Sequence, residues 1–191
     1  MKAVCVFAAS SDAVAPEFAA AAEELGALLA RHGVTLVYGG GKVGLMGVVA
    51  RAVHAQGGRV VAVIPYYLKT RELLYATADE IVVTDGLRER KAVMEERADG
   101  FVALPGGFGT LEETLEVITL KQLQRHAKPV VLLNTAGFFE PLLSLFEQLF
   151  TLRFARRENA DLYHVAARPE DAWTYLAAYQ PRPSAAKWMQ A

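Results

Sequence analysis

The residues best suited to chemistry are Pro105 to Glu113, PGGFGTLEE, which follow the apolar run Phe101 to Leu104 and precede a stretch of helical periodicity. Three glycines in this loop let the backbone turn tightly and approach a ligand, because no Cβ stands in the way. The helix that follows directs its unpaired N–H groups and the positive end of its dipole into the same space, so the loop is a cradle for an anion. Glu112 and Glu113 add carboxylates one turn away, which an anion site alone does not require. A second glycine loop, Gly39 to Gly47 (GGGKVGLMG), a basic segment, Arg88 to Lys91 (RERK), and the hydroxyl pair Ser10 and Ser11 complete the candidates.

Positioning these groups is the task of a regular alternation. Short β-branched runs occur at Ala3 to Phe7, Thr35 to Tyr38, Arg59 to Ile64, Glu80 to Thr84, Gly100 to Leu104, Pro129 to Leu133 and, more weakly, Tyr163 to Ala166. Between them lie segments with helical spacing, such as Phe18, Ala21, Ala22, Leu25, Leu28 and Leu29. This alternation predicts a doubly wound α/β fold: a parallel sheet of about seven strands with helices on both faces. Ligands of such sheets bind at the carboxyl ends of the strands near the switch in strand order. All four candidate groups follow predicted strands and therefore share one edge. No linker divides residues 1–180, which read as one domain, while 181–191 (PRPSAAKWMQA, with Trp188) read as a tail.

Composition narrows the function classes. The 191 residues, 53% hydrophobic and 21% charged, suffice for one continuous core. A formal net charge of -1 gives no general attraction for nucleic acid or an anionic membrane, so anion binding has to be local. No apolar run reaches the ~20 residues of a membrane span, no signal peptide is evident, and the lone Cys5 has no partner for an intrachain disulfide. The expectation is a cytoplasmic protein. His32, His54, His126 and His164 are scattered, and neither HExxH nor CxxC occurs, so no metal is expected. Gly39, Gly41 and Gly44 match a dinucleotide fingerprint, but the next strand, VVAVIPYYL, lacks the acid that would hold a ribose hydroxyl. Gly41-Lys42 is followed by Val43 and not by Ser or Thr, which removes a Walker loop, and no G-x-S-x-G elbow is present.

Simpler roles compete at several positions. Thr110 and Glu113 have the spacing of a capping box, in which both side chains serve the helix end. Arg88, Arg90 and Lys91 could form a solvated helix face, a role that suits Arg88 best. Gly44 and Gly47 suit close helix packing, Ser10 and Ser11 suit a helix cap, and Glu112 suits a helix-end partner.

Together, YGGGKVGLMG, RERK and PGGFGTLEE followed by EVIT resemble the Lonely Guy (LOG) family of cytokinin-activating phosphoribohydrolases, sequences formerly often labelled lysine decarboxylases. The resemblance runs in one register from about residue 4 to about residue 179. It implies a Rossmann-like fold, a homodimer or higher homo-oligomer, no cofactor, and hydrolysis of the N-glycosidic bond of a nucleoside 5′-monophosphate to free base and ribose 5-phosphate. Arg90 and Glu113 fall on the family's catalytic pair. Gly106, Gly107, Gly109 and Thr110 fall on its phosphate grip, with Lys91 a neighbouring cation and Gly40, Gly41, Ser10 and Ser11 near the nucleotide. On physical grounds Glu113 is expected to be held ionised by the helix N-terminus and to serve the sugar, by stabilising its cation, holding ribose hydroxyls or orienting the attacking water. The chain departs from the family at Ala9, where glycine is usual, at Leu87 in place of methionine, and at Leu120 in place of tryptophan, with polar Gln124 and Arg125 nearby. AMP or another purine nucleotide therefore stands beside a prenylated adenine nucleotide as substrate, and a non-catalytic nucleotide or cofactor carrier of the same superfamily stands as the alternative function.

Overall fold

A computed structural model describes residues 1–70 and 73–181. Seven strands form one sheet in the order β4-β3-β2-β1-β5-β6-β7, and every pairing is parallel. They are β1 (Ala3–Phe7), β2 (Thr35–Tyr38), β3 (Val60–Pro65), β4 (Glu80–Thr84), β5 (Gly100–Ala103), β6 (Val130–Leu133) and β7 (His164–Ala166). The helices are α1 (Pro16–Arg31), α2 (Gly44–Ala55), α3 (Leu87–Arg97), α4 (Phe108–Gln122), α5 (Glu140–Thr151) and α6 (Pro169–Ala178). The expected fold class is the observed one, with strand ends shifted by at most one residue. The tail expected after Pro181 lies outside the described residues.

Side-chain alternation along each strand divides the core between two faces. Val4 and Val6 of β1 join Leu36, Tyr38, Val102 and Leu104 beneath α1, α2 and α6. Cys5 and Phe7 point the other way, with Val37, Val63, Phe101, Met94 of α3 and Val117 of α4. All six residues of β3 are buried, as a strand covered on both faces requires. Cys5 is a packed thiol pushed well above its ordinary pKa by burial, in keeping with a structural role.

The alternation breaks once. Between β3 and β4 there is no α-helix among the described residues; the chain makes a short 3-10 turn, Tyr66–Leu68, and residues 73–79 return as an irregular strap. The strap is fastened at both ends. Near the strand tips, Tyr75 N–H donates to Gly40 O at 2.9 Å and Lys42 N–H to Leu73 O at 2.8 Å. At the far end, one carboxylate oxygen of Asp79 accepts from Val60 N–H at 2.8 Å and meets His54 Nε2 at 3.0 Å, while His54 Nδ1 meets the Tyr75 hydroxyl at 2.9 Å.

The chain passes from β1 outward through β4 and then crosses to the opposite side of β1 as β5. The switch point therefore lies between β1 and β5, where a sheet of this kind opens a crevice at its carboxyl edge. Ala9 N–H donates to Pro105 O at 3.3 Å and joins the loops on either side of that crevice.

Candidate active site at the carboxyl edge of the sheet

Helix α4 begins at Phe108 with Gly107 as its N-cap, and no side chain caps it. The N–H groups of its first turn therefore have no intrahelical acceptors and face the crevice edge. Gly107, Phe108 and Gly109 are exposed, Phe108 by 92%. A Cβ at Gly107 or Gly109 would meet nothing within 4 Å. Gly106 differs: its Cβ would stand 2.1 Å from Thr110 Oγ1, so its bareness is what lets Thr110 tuck into the loop, where only 4% of that residue is exposed. The capping-box possibility fails, because Thr110 lies inside the helix and Glu113 turns to another partner.

That partner is Arg90. Its Nη1 donates to Glu113 Oε1 at 2.8 Å, and its Nε donates to Val63 O at 3.1 Å. The side chains of the pair are only 12% and 10% exposed. Arg90 lies in the first turns of α3 after β4, and Glu113 in the second turn of α4 after β5. Parallel topology thus brings together two residues 23 apart in sequence. Burial raises the Glu113 carboxyl above its ordinary value, and the Arg90 guanidinium opposes that rise. This corrects the expectation that the helix N-terminus holds Glu113 ionised. The carboxylate sits too far along α4 for the terminus to dominate, and Arg90 is the group that favours its charge.

Lys91 does not stand free beside the pair. Its Nζ bridges Glu112 and, at 2.9 Å, Glu116, tying α3 to α4. Burial pulls its pKa down, but the two carboxylates outweigh that and leave it raised. Glu112 is thereby a partner of Lys91 and not of its own helix end. Arg88 is exposed, as a solvated residue should be.

The second glycine loop is occupied by the protein itself. Gly44 N–H donates to Asp12 Oδ1 at 2.7 Å, so a carboxylate of the β1 loop already sits on the N-terminus of α2. A Cβ on Gly44 would lie 2.5 Å from Ala9 O, and one on Gly47 1.9 Å from Lys42 O, which accounts for both glycines by close packing. Gly40 and Gly41, expected near the nucleotide, are buried. Gly40 has φ +78°, its carbonyl accepts from the strap, and Gly41 bridges to Leu74. The open amides for an anion are those of α4. Ser10 and Ser11 are exposed on the β1 side of the crevice, Ser11 Oγ accepting from Ala13 N–H at 3.2 Å. One participant was not foreseen, the Val63 carbonyl, and Gly39, read from the sequence only as part of the second glycine loop, has an unexpected neighbour in the Arg90 guanidinium that lies against it. The Val63 carbonyl carries no sequence signal, and the glycine motif that contains Gly39 does not point to Arg90. Among the described residues no group of three or more His, Cys, Asp or Glu could hold a metal ion.

A family model described as "Possible lysine decarboxylase" matches residues 46–176. The cytokinin riboside 5′-monophosphate phosphoribohydrolase LOG7 of Arabidopsis thaliana is 48% identical over 180 residues, which is 94% of this chain and 83% of that one. The probable phosphoribohydrolase LOGL5 of Oryza sativa subsp. japonica is 44% identical over 180 residues, covering 94% and 73%. Among solved structures, the molybdenum cofactor carrier protein of Chlamydomonas reinhardtii superposes with a TM-score of 0.71 at 27% identity over 92% of this chain and 96% of that one. The molybdenum cofactor binding protein of Rippkaea orientalis, at 24% identity and a TM-score of 0.68 over 92% and 94%, shares the fold. With the buried Arg90–Glu113 pair, the α4 glycine loop and relatives of this identity aligned along nearly its whole length, the chain belongs to the LOG family.

Proposed function

We propose that the protein hydrolyses the N-glycosidic bond of a purine nucleoside 5′-monophosphate, releasing the base and ribose 5-phosphate. The observation that carries this is the buried Arg90–Glu113 ion pair set beside the uncapped N-terminus of α4. The phosphate would bind the open amides from Gly107 to Thr110, where the helix dipole favours negative charge. That contact fixes the ribose relative to Glu113. Breaking the C–N bond moves its electron pair to the base and leaves an oxocarbenium-like sugar, as in other glycoside hydrolyses. Glu113, paired with Arg90, stabilises the sugar cation and orients the water, whose oxygen takes the vacated position with one hydrogen while its other proton balances the one gained by the released base. A guanidinium is a rigid donor fork and not an ordinary general acid, so the part of Arg90 is to fix the carboxylate and stabilise developing charge.

The relatives named above support this activity, since both are named as phosphoribohydrolases acting on cytokinin riboside 5′-monophosphate. Leu87, Leu120, Gln124 and Arg125 keep AMP beside an isopentenyladenine nucleotide as the substrate. The test is to incubate the protein with each and measure free base by chromatography. Base should appear from at least one, Glu113→Ala should cut kcat by about 10²- to 10³-fold as loss of a preorganised charge does, and the dephosphorylated nucleoside should react poorly. A carrier is the second reading, favoured by the cofactor carrier with the same fold; it survives if no base forms while wild type and Glu113→Ala bind nucleotide equally. A homodimer or higher assembly belongs to the same proposal, as does a cytoplasmic setting. No helix among the described residues is long and apolar enough to cross a membrane.

A further inference from the structure

We propose that Gly39 is a positioning residue for Arg90: the space left by its missing side chain is the seat of the guanidinium that holds Glu113. A Cβ built on Gly39 would lie 2.0 Å from Arg90 Nη2 and 3.1 Å from Cζ, and the next nearest atom, Met46 Sδ, is at an ordinary 3.4 Å. Arg90 is therefore the one serious obstacle to a side chain at this position. Conformation does not demand glycine here, because Gly39 is not among the residues with positive φ, whereas the adjacent Gly40, at +78°, is. The requirement is space and nothing else.

Three elements then fix the planar fork. The Val63 carbonyl of β3 accepts from Nε, Glu113 of α4 accepts from Nη1, and the bare Cα of Gly39 after β2 backs Nη2. Arginine has a rigid donor geometry, so contacts on three sides determine the direction in which the rest of the fork points. A methyl group at Gly39 forces the guanidinium away while leaving both Arg90 and Glu113 unsubstituted. This role rests on the proposed hydrolysis only for its kinetic arm.

The experiment compares Gly39→Ala, Arg90→Ala and the double variant in the full chain, using AMP hydrolysis and the titration of the Glu113 carboxyl followed by carbon NMR. Gly39→Ala should lower kcat by about 10²-fold, the cost of a displacement near 1 Å in a catalytic constellation, with KM much less changed. In the Arg90→Ala background it should cost nothing further, because the atom it displaces is gone. The Glu113 titration should move upward in Gly39→Ala, in the same direction as in Arg90→Ala. A kcat near that of wild type, losses that multiply in the double variant, or an unmoved Glu113 titration would each overturn the proposal. If Gly39→Ala fails to fold, the double variant must fold, since it lacks the clash; failure of both overturns it as well. If wild type releases no base from AMP, the AMP reading fails on its own, and the Glu113 titration alone decides the role of Gly39.

Discussion

At the scale of single residues, the site keeps a carboxylate charged where burial disfavours it. Burial lifts the Glu113 carboxyl and Arg90 opposes it, with the balance above the ordinary glutamate value. The acid limb of kcat/KM should therefore lie above the ~4.3 of a free glutamate, and Glu113→Gln should lack that limb along with most of the activity. A limb at or below the free value would remove Glu113 as the titrating group. The sign for stability follows from the same shift. A carboxyl raised in the fold contributes stability that is fully present below its unfolded pKa and is lost as pH rises through the folded one. Urea midpoints of wild type should accordingly fall relative to Glu113→Gln across that window. Much of this site was legible: Arg90, Glu113 and the α4 glycines are distinctive side chains or gaps in a motif. Val63 was not, because it contributes only a carbonyl, and Gly39 was legible as part of a glycine loop but not as the seat of Arg90, a contact made across elements. Lys91 looked available only because Glu112 and Glu116 reach it across helices, which linear spacing does not reveal.

At the scale of elements, strands and most helices were readable because burial on two faces leaves continuous apolar runs, as in VVAVIP and VVLL. The strap between β3 and β4 was not readable as an exception. Its fastenings are mainly backbone bonds to the Gly40–Lys42 loop and an Asp79–His54–Tyr75 chain, none of which has a period. Helix α4 is anchored at its other end by Lys121, a buried lysine whose Nζ donates to Leu162 O at 3.0 Å and lies 5.0 Å from the Tyr179 ring centroid. Burial lowers its pKa to about 8, against a smaller opposing pull from Asp161. Between that value and the ~10.4 of an unfolded lysine, the unfolded chain binds more protons, so stability gains from this group as pH rises. Lys121→Met should abolish that gain. Urea midpoints of the two proteins at pH 7.5 and 9.5 test it: the wild type should improve relative to the variant at the higher pH, and parallel changes would show that Lys121 is not desolvated as the fold implies.

At the scale of the whole molecule, fold alone does not choose between hydrolase and carrier, since carriers share this sheet and its helices. What separates them is the chemistry placed on the carboxyl edge, and the same face of the sheet bears on assembly. Helix α4 buries Val117 against the core, yet leaves Leu115 and Leu123 on its outer side, exposed by 40% and 39%. Leu145 of α5, and Leu152 and Phe154 just beyond it, are also exposed, the last by 79%. Large apolar side chains left exposed on neighbouring helices are costly in water and suit a second subunit. A closed pair through a two-fold axis would bury the patch on both copies at once. Light scattering across a range of concentrations should therefore report a dimer or larger assembly. The double substitution Leu115→Glu and Leu123→Glu should shift it toward monomer while the circular dichroism spectrum is retained, because both positions lie away from the core. A wild type that scatters as a monomer throughout would refute the assembly. A monomeric double variant that still hydrolyses nucleotide at the wild-type rate would show that one chain holds the whole catalytic apparatus.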